Sequence, residues 1–221
     1  MRCLVCLNSI DPQVTWENFL QFHEKDKLCT DCSKHMERIT RPGCPRCFRT
    51  DSKGVCYDCE RWEESYDGVL EKNVSVFRYN DFSKEVVARW KYRGDYVLMK
   101  AYQMDILNSF NLHYPEVFPL VAIPLSKARL KERGFNQSEA IIRLLQGDPH
   151  HLLTRTGDEK QSKKQRSERI HSTNPFTLTK AIHDPIILID DIYTTGSTLR
   201  HAASLLKKEG CPHVYAFTIF R

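Results

Sequence analysis

The sequence predicts an α/β fold, a mainly parallel sheet flanked by helices, preceded by a small cysteine-rich domain. Three observations carry that reading. Eight of the nine cysteines fall within the first 59 residues. From Asn73 to Phe220, strand-like and helix-like segments alternate, the order that builds parallel sheets with helices on their faces. Finally, the stretch ILIDDIYTTGSTL, Ile187 to Leu199, ends an apolar strand on two acids and enters a helix through hydroxyl residues.

The cysteines come as four CxxC pairs: Cys3 and Cys6, Cys29 and Cys32, Cys44 and Cys47, Cys56 and Cys59. One such pair puts two thiolates on a tight turn, and two pairs supply the four soft ligands of a tetrahedral zinc site. Four pairs therefore predict two Zn2+ ions, closed either in sequence order or interleaved. Buried free thiols or redox pairs are the rival reading, but four matching spacings favour metal. Four thiolates leave no open coordination position, so the zinc is expected to be structural. A module this small has little core, and metal binding worth about 10 to 16 kcal/mol in finger peptides is enough to fold it.

His23 and His35 read as surface residues, and Cys211, after Gly210, as a core or loop thiol without a role. After Cys59 the composition shifts to longer apolar-periodic segments. The boundary is expected between Glu60 and Gly68, giving a double zinc-ribbon domain over 1–64 and a second domain over 68–221.

In the second domain, NVSVFRY (Asn73 to Tyr79) alternates and is rich in β-branched and aromatic residues, as a strand is. A helix capped by Asp81 or Ser83 follows to about Lys91 and stops near Gly94. Apolar residues recur at helical spacing from Asp95 to Asn111, and Leu120 to Ile123 is a short buried strand stopped by Pro124. Phe135 to Gln146 reads as a helix and His151 to Arg155 as a strand. Thr156 to Thr173, polar and without period, is expected to be a mobile loop. Strand Ile186 to Asp190, helix Thr198 to Glu209 and strand Val214 to Phe220 complete the chain.

Charge and hydropathy narrow the function classes. Thirty-three basic against 28 acidic residues, +5 formally, suit phosphate ligands but fall short of a polycationic nucleic-acid binder. MRCLVCLNSI has too short an apolar run for a signal peptide, and nothing approaches the roughly 18 apolar residues of a spanning helix. The expectation is a cytoplasmic protein with no membrane insertion, in which thiols stay reduced.

The last strand-to-helix turn carries the most specific chemistry. Free N–H groups at a helix start, the dipole behind them and the hydroxyls of Thr194, Thr195, Ser197 and Thr198 suit a phosphate, with Gly196 allowing close approach. Asp190 and Asp191 are wrong for the phosphate itself, but suit the hydroxyls of a sugar or a magnesium ion. A ligand with a phosphate, a diol and a metal-bound pyrophosphate would use every group; phosphoribosyl pyrophosphate is one. Simple turn capping by Asp190 leaves the second acid and the hydroxyl run unexplained.

ILIDDIYTTGSTL resembles the thirteen-residue phosphoribosyl-pyrophosphate motif of type I phosphoribosyltransferases. The whole chain resembles the ComF family, through the double zinc ribbon, the segment Lys91 to Asp95 (KYRGD), IPLSKARLKERGFNQ, the EKQSKKQR loop and the terminal motif. The resemblance implies a type I phosphoribosyltransferase-like parallel sheet flanked by helices. It implies that Asp190 and Asp191 hold the ribose hydroxyls and Thr194, Thr195, Gly196, Ser197 and Thr198 the 5′-phosphate, with Mg2+ accompanying the ligand. Ala122 to Lys127 occupies the place of the pyrophosphate loop, where Ser126, Lys127, Arg129 and Arg133 would face the pyrophosphate. Lys160 to Arg169 would be the loop that closes over the reaction, with Lys163, Lys164 and Arg169 as its catalytic candidates. Any single basic residue has a bland rival, a solvated surface charge.

Three functions stay open at this point: a phosphoribosyltransferase acting on a nitrogen acceptor, a sensor that binds phosphoribosyl pyrophosphate without turnover, and a factor handling single-stranded DNA in natural transformation. The last is where the ComF resemblance points, with other competence proteins such as the ComFA helicase as implied partners. Such a transferase needs positioning and charge neutralisation more than a general base, so the absence of an obvious base excludes nothing.

Overall fold

The computed structural model describes residues 2–10, 27–155 and 174–221. Its strands are β1 (Asn73–Phe77), β2 (Leu120–Ala122), β3 (Pro149–His150), β4 (Leu153–Arg155), β5 (Phe176–Leu178), β6 (Ile186–Ile192) and β7 (Val214–Phe220). Five of them form one parallel sheet in the order β1-β7-β6-β2-β3. β4 and β5 pair antiparallel as a separate ribbon. The strand expected at His151 to Arg155 thus exists, but it is shorter and stands apart from the main sheet.

The helices are α1 (Thr30–His35), α2 (Tyr57–Tyr66), α3 (Asp81–Tyr92), α4 (Gln103–His113), α5 (Lys127–Arg133), α6 (Gln137–Leu144) and α7 (Ser197–Lys208). α3 is capped by Asn80 rather than Asp81 or Ser83. Asn80 has the extended backbone a cap needs, and its side chain accepts the Ser83 N–H at 2.9 Å. The periodic run from Asp95 to Asn111 divides into a 3₁₀ helix, Tyr96–Tyr102, and α4. Three residues per turn stack Met99 above Tyr102, and both are buried.

β6 alternates between the two faces of the sheet. Ile187 and Ile189 pack into one layer with Val86, Trp90, Ile106 and Ile141 from α3, α4 and α6. Ile186 and Leu188 pack into the other with Leu199, Ala202, Ala203 and Leu206 of α7. The cysteine-rich segments enter both layers. Cys3, Cys32, Met36 and Phe48 join the first, while Cys44, Cys47, Cys56 and Cys59 join the second. Between the two sets the chain runs antiparallel to β1, with Ile39 N–H donating to Val76 O at 2.8 Å and Arg78 N–H to Glu37 O at 2.9 Å. That pairing covers an otherwise open sheet edge. The Thr156 to Thr173 loop, with Lys163, Lys164 and Arg169, lies outside the described residues, as does His23.

Candidate functional site

After β6 the chain passes through α7 to β7 on one side; after β2 it passes through α5 and α6 to β3 on the other. The carboxyl ends of these adjacent strands are therefore the point where the winding reverses, and a crevice opens there in sheets of this kind. A cavity of about 190 Å³ occupies it, lined by Asp190, Asp191, Thr194, Thr198, Lys91, Arg129, Arg133, Arg155, Gln137 and Ser138, with Ile123 to Leu125 beneath.

The two acids point to opposite faces, as successive strand residues must. Asp190, half-buried, accepts the Asp191 backbone N–H at 2.9 Å and the Ser138 hydroxyl at 3.5 Å. Asp191 is 8% exposed and ion-paired with the Lys91 ammonium. Burial, and then the neighbouring Asp191 charge, push Asp190 up to about 7, against the pull of the Asp191 N–H, Lys91 and Arg155. Burial and the Asp191 charge therefore oppose ionisation of Asp190, which a hydrogen-bond donor or a cation beside it would favour.

Gly196 opens α7 with φ 82°, and a Cβ there would sit 2.2 Å from the Tyr193 hydroxyl, so both backbone and space require glycine. Thr195 and Ser197 are buried behind the loop, Thr194 is exposed, and Thr198 is half-buried. Trp62, fully buried, donates its indole N–H to Thr195 O at 2.7 Å. Trp90 is buried as well, among the residues of the first layer.

Of the basic residues expected for a pyrophosphate, Arg129 and Arg133 line the cavity; Lys127 is exposed and is not among its walls. Ser126, 5% exposed, caps α5 by accepting the Arg129 N–H at 3.4 Å. Arg133 donates to Gln137 Oε1 at 2.6 Å and lies 5.3 Å over the Tyr92 ring, which fixes its head. Sequence reasoning missed Lys91, Arg155, Gln137 and Ser138 as site residues. Lys91 stood in the KYRGD segment, a visible signal; Arg155 had none beyond its place before the polar stretch. Burial and the nearby Arg129 hold the Arg155 pKa below the usual guanidinium value, against the pull of Asp190.

The cysteines close in sequence order. Cys3, Cys6, Cys29 and Cys32 form one cluster and Cys44, Cys47, Cys56 and Cys59 the other, with sulfurs within 4.8 Å of one another. Sγ pairs stand at 3.6 Å (Cys6 and Cys29), 3.9 Å (Cys44 and Cys59) and 3.6 Å (Cys47 and Cys56). A tetrahedron of Zn–S bonds has edges of about 3.8 Å, so each donor set fits a structural zinc ion. A hydrogen bond from Cys59 and the charge of Arg221 pull the Cys47 thiol down, against burial. His35 is exposed, outside both clusters, and Cys211 is a buried thiol donating to Asp184 O at 3.2 Å.

Larger cavities, of about 400 and 510 Å³, lie around Lys100 and Gln103, but neither is lined by adjacent acids. Among the described residues no helix is long and apolar enough to cross a membrane.

Fold and site together define an α/β protein with a charged crevice at a sheet switch point, and with two four-cysteine clusters that could each hold a zinc ion. No family model matches the chain. It is 41% identical to competence protein ComFC of Bacillus subtilis, across 99% of this chain and 94% of that protein. It is 34% identical to competence protein ComFC of Streptococcus pneumoniae across the full length of both, and 24% identical to competence protein F of Haemophilus influenzae across 89% of this chain. The chain belongs to the ComFC competence protein family.

Proposed function

We propose that this protein acts in competence for natural transformation through a type I phosphoribosyltransferase-like domain, residues 68–221, that binds phosphoribosyl pyrophosphate with Mg2+. Asp190 and Asp191 take the ribose diol, Thr194 to Thr198 the 5′-phosphate, and Arg129, Arg133 and Arg155 the pyrophosphate. Ser126 shapes the loop after β2, while Lys127 stands at the rim. Lys163, Lys164 and Arg169 are the candidates for a closing loop. Residues 1–64 form the double zinc-ribbon domain that supports this site. One observation carries the reading: an acid pair, the two threonines that flank a left-handed glycine opening a 12-residue helix, and three arginines line one cavity at the switch point.

Isothermal titration of phosphoribosyl pyrophosphate with Mg2+ tests it. Wild type should bind and Asp190→Asn/Asp191→Asn should not; silence from wild type removes the reading. If the ligand binds, pyrophosphate release on adding candidate nitrogen bases separates a transferase from a sensor.

A second role, gripping single-stranded DNA, is favoured by the exposed Lys34, Lys100 and Tyr96 around the two larger cavities, with Arg143 beside them. Basic side chains beside an exposed aromatic ring suit a phosphate backbone with stacked bases. Fluorescence anisotropy with labelled oligonucleotide should show affinity falling steeply with salt; no binding at low salt excludes direct contact.

A further inference from the structure

We propose that Arg221 and Trp62 join the Cys44, Cys47, Cys56, Cys59 metal site to the 194–197 loop, so that metal held there sets how tightly the loop grips an anionic ligand. The anion-gripping half rests on the reading above; the mechanical half stands on geometry alone.

Trp62 lies three residues after Cys59, on the α2 helix that Cys56 caps, and its indole N–H holds Thr195 O at 2.7 Å. Arg221 bridges the same two places. Its Nε donates to Cys47 O at 3.1 Å and Nη2 to Cys47 Sγ at 3.3 Å, while Nη1 donates to Thr194 O at 2.8 Å and Tyr193 O at 3.3 Å. Arg200, in the first turn of α7 and 1% exposed, adds a third link. It donates to the Tyr193 hydroxyl and to Cys59 Sγ at 3.9 Å, and it stacks 5.3 Å from the Trp62 ring.

Two physical consequences follow. A trans peptide points its C=O and N–H in opposite directions. With the Thr194 and Thr195 carbonyls drawn back toward the metal site, the Thr195 and Gly196 N–H groups are turned the other way, and among the described residues no hydrogen bond engages either. They are the donors an anion at a helix start requires. Charge is the second link: four thiolates around a divalent cation carry a net charge of two minus, which Arg200 and Arg221 neutralise. Without that charge Arg200, 1% exposed, would keep only the Glu63 carboxylate, 4.0 Å away. Among the described residues the other cluster shows no such connection, and its Cys3 and Cys32 pack into the opposite layer of the sheet.

The test uses zinc-loaded full-length protein as wild type, Trp62→Phe and Arg221→Gln. Hydrogen exchange of the 194–199 amides should rise about tenfold in each variant, as the loss of one buried hydrogen bond implies. Transfer of one of the two zinc ions to a chromophoric chelator should accelerate by a similar factor, the other remaining unchanged. Saturating phosphoribosyl pyrophosphate with Mg2+ should tighten that same ion's binding in wild type, read by equilibrium competition with the chelator, because the coupling free energy between two sites is reciprocal. Wild-type exchange and release rates in both variants overturn the proposal. Should Arg221→Gln fail to fold, Trp62→Phe decides, since it removes the N–H at little change in shape. If the ligand does not bind wild type, the functional reading falls, while the exchange and zinc measurements still decide the coupling.

Discussion

Replacing Lys91 by methionine probes how the acid pair is held when no ligand is present. The Lys91 and Asp191 side chains are each 11% exposed and paired with each other, so the substitution strands a carboxylate that has little water to turn to. Breaking a buried pair by removing one partner costs about 3 to 5 kcal/mol, and the remaining exposure puts this site near the lower figure. Against a total stability of about 5 to 15 kcal/mol, that is a large loss. Asp191→Asn should cost less, about 2 kcal/mol, because the amide still accepts a hydrogen bond from the lysine. The double variant should lose about 3 kcal/mol rather than the summed total of about 5, a coupling of about 2 kcal/mol. Urea unfolding at pH 7, followed by circular dichroism across the four proteins, measures it. Losses that add within about 0.5 kcal/mol would show that the contact contributes nothing, and the account of Lys91 as counter-ion to Asp191 would be wrong.

Three other outcomes follow from the same geometry. Asp190 is raised from 3.8 to about 7, so the folded state holds that proton more tightly than the unfolded chain; the stability it contributes is complete below pH 3.8 and is lost as pH rises through about 7. Asp190→Asn should therefore raise the melting temperature relative to wild type at pH 8 and not at pH 4, by thermal scans without ligand. Gly196→Ala meets both a φ of 82° and a Cβ 2.2 Å from the Tyr193 hydroxyl, and should cost about 2 kcal/mol or more together with phosphate-site binding, read by chemical unfolding and calorimetry. Because the two cysteine clusters pack into both layers of the sheet, stripping zinc should lower hydrogen-exchange protection in β1 and β7 as well as in residues 27–66; full protection of the sheet in metal-free protein would refute that shared core.

What the sequence by itself determined lies where the chemistry is local. CxxC spacing sets two thiolates on one turn whatever surrounds them, and ILIDDIYTTGSTL places acids, hydroxyls and glycine within one strand-to-helix connection. β6, α7 and β7 were legible for the same reason: period and punctuation are properties of neighbouring residues. Errors came where a local cue had two solutions, as when Asn80 rather than Asp81 or Ser83 capped α3, or when an apolar run of helical spacing wound partly as 3₁₀. α5 went unread because its seven residues bury nothing and so carry no apolar stripe.

Only the tertiary structure decided the strand order, the in-order pairing of the cysteines and the partners of the acid pair. Lys91 reaches Asp191 from another helix, and Trp62 reaches Thr195 across 133 positions of chain. Such contacts leave no periodic trace in the sequence, because they arise from which faces of the sheet become buried together. The motif named the chemistry of its own turn, whereas packing chose the cations and the metal cluster that stand against it.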